Sequence, residues 1–266
     1  MWDAEMHEKL IDVEGEKEVS AVDVSPDSTK FATGTGWGDT KASIWSTATG
    51  KRLVGPLEQG QLVTGVRFSP QGEQIVTSVQ VGLVRIFDSR SGDQLIVINT
   101  TARSEWPTTP LAWSNDGHQL FTVSNKKIMS FSVSTGSQLA ESPILTDERS
   151  ISLAGNSKFI AAIASNSVSF LDTSTLAKIG TAIEEGEEMW SIAVSLDSSL
   201  IVTGRRDGKI IIRNLPSFLP DSYGPFQVSN SSFMMLPCQM PILTHCIDIY
   251  SRGATTGRAA FDLGRP

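Results

Sequence analysis

Cysteine is nearly absent. Of 266 residues only Cys238 and Cys246 carry a thiol, and both stand late in the chain. That excludes a disulfide framework and a zinc site built on cysteines. Histidine is limited to His7, His118 and His245. His118 falls in the turn Asn115-Asp116-Gly117-His118 and reads as a solvated turn residue. His245 with the two cysteines lacks a further ligand at workable spacing, so neither a metal nor a Cys/His nucleophile is expected. Basic residues are outnumbered, 22 against 29 acidic, for a net charge of −7. Phosphate neutralisation needs the opposite balance, so a nucleic-acid partner is not expected. No uninterrupted apolar run is long enough for a membrane span: Phe233 to Tyr250 is broken by Pro237 and Pro241 and carries Asp248. Met1-Trp2-Asp3-Ala4-Glu5 has no basic start leading into an apolar stretch, so no secretory signal is expected. A cytoplasmic location, with the nucleus as the alternative, follows by default. Gly34-Thr35-Gly36-Trp37-Gly38-Asp39 looks like a phosphate cradle, but no Lys-Ser/Thr or helix follows it. No cofactor is implied.

What the chain does have is a repeat. Val22-Asp23-Val24-Ser25-Pro26-Asp27 matches Val66-Arg67-Phe68-Ser69-Pro70-Gln71, Leu111-Ala112-Trp113-Ser114-Asn115-Asp116, Ile151-Ser152-Leu153-Ala154-Gly155-Asn156 and Ile192-Ala193-Val194-Ser195-Leu196-Asp197. The equivalent positions 25, 69, 114, 154 and 195 are separated by 44, 45, 40 and 41 residues. Each unit offers an alternating strand before the turn, a second after it (Phe31-Ala32-Thr33, Ile75-Val76-Thr77), and a third (Ile44-Trp45, Ile86-Phe87, Ile210-Ile211-Ile212). A fourth follows Gly50, Gly92 and Gly136, near Leu53, Leu95 and Leu139. The fold class is therefore all-β, with four short strands per unit and no long helical period. A four-stranded sheet cannot bury both faces alone, whereas radial stacking does so, as in a β-propeller of about five visible units.

The spacing, with Ser-Pro-Asp after strand one and Trp/Phe-Asp after strand three, resembles the WD-repeat family from residue 1 to about 214. Trp2-Asp3, Phe87-Asp88 and Leu171-Asp172 stand at the signature dipeptide, and Trp45-Ser46 and Phe131-Ser132 are drifted forms. The family's Gly-His pair before strand one is missing. Of its internal hydrogen-bond chain, Thr33, Asp39 and Trp45 remain in one unit, and Thr203 and Asp207 in another, with Arg213 at the Trp position. Looser blades are expected, each lost buried bond being worth roughly 0.5–1.5 kcal/mol.

Trp2 to Leu10 aligns without gaps to Phe87 to Leu95, so the chain opens on an outermost strand, near Leu10 to Val13. Two readings stay open: that strand completes the last blade of a five-blade ring, or the chain is a piece of a larger propeller. Residues 215–266 hold six of the twelve prolines, both cysteines and no lysine. They read as a Pro-rich irregular or disordered tail to a propeller spanning 1–214.

The resemblance implies a non-catalytic scaffold for protein or peptide partners, with a truncated propeller or a propeller hydrolase as alternatives. One rim joins the loops before strand one to those between strands two and three. The first loop set, which includes Glu58, Glu184, Glu185, Glu187 and Glu188, carries eleven acids against three bases, suiting a basic peptide. The family's contact positions, five and seven residues before each turn marker, fall on Ser20 and Glu18, Thr64 and Leu62, Thr109 and Pro107, Arg149 and Asp147, and Trp190 and Glu188. Arg206 and Gln80 join them from the other loops, and Trp37 stands in the enlarged turn before Asp39. Trp190 and Arg149 are the strongest candidates, because Trp and Arg dominate interface hot spots.

Overall fold

Period-two alternation and turn chemistry together shape this chain. The computed structural model describes residues 13, 18–36, 38–100, 110–124, 126–143, 148–153, 157–164, 166–195 and 197–223. The chain divides into Met1–Phe226 and Gln227–Pro266, and all described residues belong to the first part.

Every described strand joins one of five antiparallel sheets in chain order. The first sheet holds β1 (Val19–Val24), β2 (Lys30–Thr35), β3 (Lys41–Ser46) and β4 (Arg52–Glu58). The second holds β5 (Val63–Phe68), β6 (Gln74–Val79), β7 (Leu83–Asp88) and β8 (Gln94–Asn99). The third holds β9 (Leu111–Trp113), β10 (Gln119–Ser124), β11 (Lys127–Ser132) and β12 (Gln138–Glu141). The fourth holds β13 (Glu148–Leu153), β14 (Phe159–Ala164), β15 (Ser167–Asp172) and β16 (Lys178–Glu184). The fifth has three described strands, β17 (Met189–Val194), β18 (Leu200–Arg205) and β19 (Ile210–Asn214). No α-helix occurs among the described residues, and no helix there is long and apolar enough to cross a membrane. The propeller of small repeated sheets expected from the spacing is the observed architecture. The strand expected near Leu10 to Val13 lies almost wholly outside the described residues.

The hairpin between the first two strands of each sheet follows from its turn residues. The Ser25 amide donates to the Lys30 carbonyl at 2.9 Å, and Ser69, Ser114 and Ser195 repeat the bond five residues along. The hydroxyls of Ser25, Ser114 and Ser195 donate to Asp27, Asp116 and Asp197 at 2.6, 2.5 and 2.6 Å. These bonds, first among several, hold the three carboxyls below the usual range. Three residues past each marker the backbone turns left-handed, at Ser28, Gly72, Gly117, Ser157 and Ser198. The turn between the third and fourth strands also needs a left-handed residue: glycine at 50, 92 and 136, but Leu176 with φ +54° in the fourth sheet. Leu176 is fully buried.

Alternate residues of one strand face opposite neighbours, so each sheet has a forward face toward the next sheet and a backward face toward the preceding one. Ala32, Ala42 and Ile44 point forward from the first sheet and meet Val66, Phe68, Ile75 and Phe87 of the second. Val76, Val84 and Ile86 point forward to Leu111, Trp113 and Leu120. Phe121 and Ile128 meet Ile151, Ile160 and Leu171. Ala161, Val168 and Phe170 meet Ile192 and Ile201 of the fifth sheet. The core is thus four apolar layers between consecutive sheets, and each fully buried large side chain contributes about 1.5–3 kcal/mol. Past β19, short 3₁₀ turns at Leu215–Phe218 and Asp221–Tyr223 continue the ordered chain. Leu215 and Leu219 enter the layer between the fourth and fifth sheets. The Tyr223 hydroxyl donates to Asp172 at 2.8 Å.

Candidate functional site

The innermost strand of a sheet begins at the rim, and in four sheets it begins irregularly. Register shifts fall between Val19 and Ala21, Val63 and Gly65, Glu148 and Ile151, and Met189 and Ser191. Each is a bulge, and each contains the position five residues before the turn marker: Ser20, Thr64, Arg149 and Trp190. A bulge adds an unpaired residue and re-aims its side chain, which is how a regular sheet presents one at its end.

What the bulge presents differs by sheet. The Ser20 hydroxyl lies 3.0 Å from the Gly34 carbonyl and 2.6 Å from the Val63 carbonyl, tying the first sheet to the second. Thr64 is buried, 3.2 Å from the Ser78 hydroxyl. Both hydroxyls engage groups within the sheets. Trp190 instead keeps 37% of its surface exposed. Beside it the Arg206 amide donates to the Glu188 carbonyl at 2.8 Å, and its guanidinium donates to the Glu188 carboxylate at 3.1 Å. Two-thirds of the Arg206 side chain still faces solvent. Glu184 and Glu187 are exposed on the same connection. The structure therefore brings Glu188, Trp190 and Arg206 together on the fifth sheet. Glu18 is half-buried, its carbonyl accepting from the Gly36 amide at 2.8 Å. Leu62 is half-buried and Gln80 exposed, and the Gln80 amide donates to the Leu62 carbonyl. Trp37, Pro107, Thr109 and Asp147 lie outside the described residues, and for Arg149 only the backbone on β13 is described.

Glu185 requires a correction. Counted with the rim acids, it is in fact buried, with 3% of its side chain exposed. Arg213 donates to it from Nη2 at 2.5 Å and Nε at 3.1 Å, and Arg205 Nη1 approaches at 3.5 Å. Arg205 also reaches Asp207 at 2.8 Å. In the first sheet the Trp45 indole donates to Thr33 Oγ1 at 2.9 Å, as the surviving residues there imply. In the fifth sheet Arg213 replaces that tryptophan and turns to Glu185, leaving Thr203 Oγ1 buried without a partner. In the second sheet Gln59 holds the matching place, ten residues before its marker, and accepts from Thr77 at 3.0 Å and Arg85 at 3.2 Å. The signal for Glu185 was Arg213 itself: a cation in an indole's place calls for an inward anion.

The opposite ends of the innermost strands enclose a shallow cleft of about 260 Å³, lined by Val24, Arg67, Phe68, Trp113 and Ile151 among others. Arg67 donates to Asp23 at 2.9 Å across the first two sheets. Burial pushes the Asp23 carboxyl up despite that guanidinium. Among the described residues no three His, Cys, Asp or Glu side chains stand close enough to share a metal ion.

The family profile of the WD40 repeat, WD domain, G-beta repeat, matches residues 8–46 and 180–214. These stretches include the two units that retain a Thr and an Asp of the internal network. The second begins on β16 and ends on β19, so the sequence repeat runs across two sheets. No curated protein matches the chain. Five repeated sheets in chain order, turns of one chemistry and two stretches similar to the WD40 repeat support a WD-repeat family for this chain.

Proposed function

We propose that the chain is a non-catalytic platform that binds a basic segment of a partner protein at the rim of the fifth sheet, through Trp190, Glu188 and Arg206. WD40 repeats generally mediate protein–protein interaction, and their proteins are usually non-catalytic. The observation that carries the finer reading is the contrast among equivalent bulge residues. Ser20 and Thr64 are spent on internal hydrogen bonds, whereas Trp190 is held outward beside an ion pair that keeps its charges at the surface. An indole offers a broad apolar face and a donor at low entropic cost, and Arg206 adds a planar fork for backbone or carboxylate. Glu184 and Glu187 supply the field that favours a basic approach, reduced by the withdrawal of Glu185.

The test is affinity capture with the full chain, followed by kinetics with the partner recovered. Trp190→Ala weakens binding by about 2 kcal/mol or more. Glu184→Lys with Glu187→Lys mainly slows association and flattens its salt dependence. Both folded variants binding like the parent would move the function to another face.

A further inference from the structure

In the first, second and fifth sheets one backbone bond ties the residue after the second strand to the residue before the first. The amides of Gly36, Gln80 and Arg206 donate to the carbonyls of Glu18, Leu62 and Glu188 at 2.8, 3.1 and 2.8 Å. The scaffold is shared, but of these three donors only Arg206 carries a charge: glycine has no side chain and glutamine is neutral. The turn that bears Arg206 also directs its charges unevenly. In the Arg206–Glu188 pair the cationic side chain is 67% exposed and the anionic one 23%. In the Lys209–Asp207 pair of the same turn the values are 70% and 28%. Both carboxylates are drawn in and both cations stand out, near an indole that is 37% exposed. Arg206 engages the Glu188 carboxylate through Nη1. Its Nε and Nη2 make no hydrogen bond among the described residues. That edge of a guanidinium is the one that matches a carboxylate with two parallel bonds.

We propose that Arg206 selects a carboxylate within the basic partner segment, close in sequence to the apolar residue that packs on Trp190. The inference rests on the rim reading above and narrows it. Glu184 and Glu187, exposed on the facing connection, meet the bases that flank this acid. A uniformly basic segment would set some of its charges against Arg206 and Lys209, and like charges in contact oppose binding. A segment with one acid among its bases meets the opposite charge at each place. The acid is also favoured over the amide of the same shape. Asn or Gln offers one acceptor oxygen and two donors, and a guanidinium has no acceptor to receive them. Glu188 keeps its bond to Nη1 throughout, so the partner's carboxylate adds to the rim ion pair instead of replacing it.

Selection of random peptides on the immobilised full chain tests this. One library is fused through its C-terminus and reports an acidic side chain; a second displays free C-termini and reports a terminal carboxylate. The expected peptides carry that acid beside an apolar residue, with Lys or Arg beyond. An enriched peptide is then titrated by fluorescence anisotropy. Arg206→Gln weakens it by at least about tenfold, and Arg206→Lys, which keeps the charge without the fork, weakens it less. Converting the peptide's acid to its amide weakens binding equally on the parent chain and has no further effect on Arg206→Gln. Parental circular dichroism is the control for folding. Peptides lost on Trp190→Ala yet indifferent to their acid would overturn the inference and leave the rim reading standing. Peptides indifferent to Trp190→Ala, or no enrichment from either library, would overturn both.

Discussion

Removing the Glu185 carboxylate strands two cations. In the folded protein that side chain is almost fully enclosed and receives Arg213 at 2.5 and 3.1 Å and Arg205 at 3.5 Å. In Glu185→Ala, Arg205, only 13% exposed, keeps Asp207 but loses its inward partner, and its Nε already lacks one. Arg213 is 35% exposed and can swing toward water, which lowers the cost. Breaking a buried pair from one side costs about 3–5 kcal/mol, and the exposure of Arg213 places this case near 3. For a domain of this size that is a fall in Tm of about 6–12 °C. Glu185→Gln keeps an acceptor without its charge and loses about half as much. Glu185→Leu with Arg213→Leu removes both charges and costs far less than its two single substitutions added together. Urea denaturation followed by circular dichroism gives all five values. A loss below about 1 kcal/mol in Glu185→Ala, or strict additivity in the double variant, would refute the claim that this pair organises the fifth sheet.

Leu176 sets strain against burial. Leu176→Ala keeps the left-handed backbone and empties the layer, whereas Leu176→Gly empties it and relieves the strain, so glycine is the milder change by about 1 kcal/mol. Equal or reversed losses in denaturation would contradict that balance. Leu219→Ala destabilises by about 2–4 kcal/mol, because the residue closes the layer between the fourth and fifth sheets. A change within 0.5 kcal/mol, roughly that of a surface site, would show that the segment after β19 does not contribute. Burial opposes ionisation of Asp172, but bonds from Ser174, Tyr223 and Thr175 outweigh it and hold its carboxyl well below the usual range. A depressed acid stabilises above its unfolded value, about pH 3.9, and loses that contribution as pH falls through its folded value. Tyr223→Phe therefore costs about 1 kcal/mol between pH 5 and 8, and the gap to the parent narrows below about pH 4. A gap that widens on acidification would have the wrong sign.

The strands and turns were legible because their causes are local. Val22 and Val24 alternate, Ser25 and Asp27 close the turn, and each unit repeats these choices within a few residues. Even so, Leu176 hid a left-handed turn, since only register with Gly50, Gly92 and Gly136 exposes it. The acidic run Glu184-Glu185-Gly186-Glu187-Glu188 reads as one solvated loop, yet Glu185 turns inward. Its reason lies at Arg213, 28 residues on, and nothing nearby announces it. Ser20 and Thr64 stand at family contact positions, but short hydroxyl side chains at a bulge reach backbone and neighbouring hydroxyls first. The larger indole at the same bulge of the fifth sheet stays 37% exposed. Leu215, Phe218 and Leu219 are set among Pro216 and Pro220, a composition that suggests an irregular tail. The described part of that segment nevertheless packs, because the fourth and fifth sheets leave an apolar edge for it to cover.

Arg205 and Arg206 are consecutive, and their opposite directions link the interior of the fifth sheet to its rim. Arg205 points inward to Glu185 and Arg206 outward to Glu188, while the Arg206 amide fixes the Glu188 carbonyl. Glu185 and Glu188 sit three residues apart on the facing connection, so the two ion pairs clamp one turn against the other from both sides. Trp190 follows immediately, at the bulge. A substitution at Glu185 therefore shifts the frame that carries Trp190 without touching a ligand there. Weakened binding by a Glu185 variant would report that frame and would track its loss of stability. Weakened binding by Trp190→Ala would appear at parental stability, because a side chain one-third exposed closes no core layer. Measuring both quantities for both variants separates a residue that meets the partner from one that positions it.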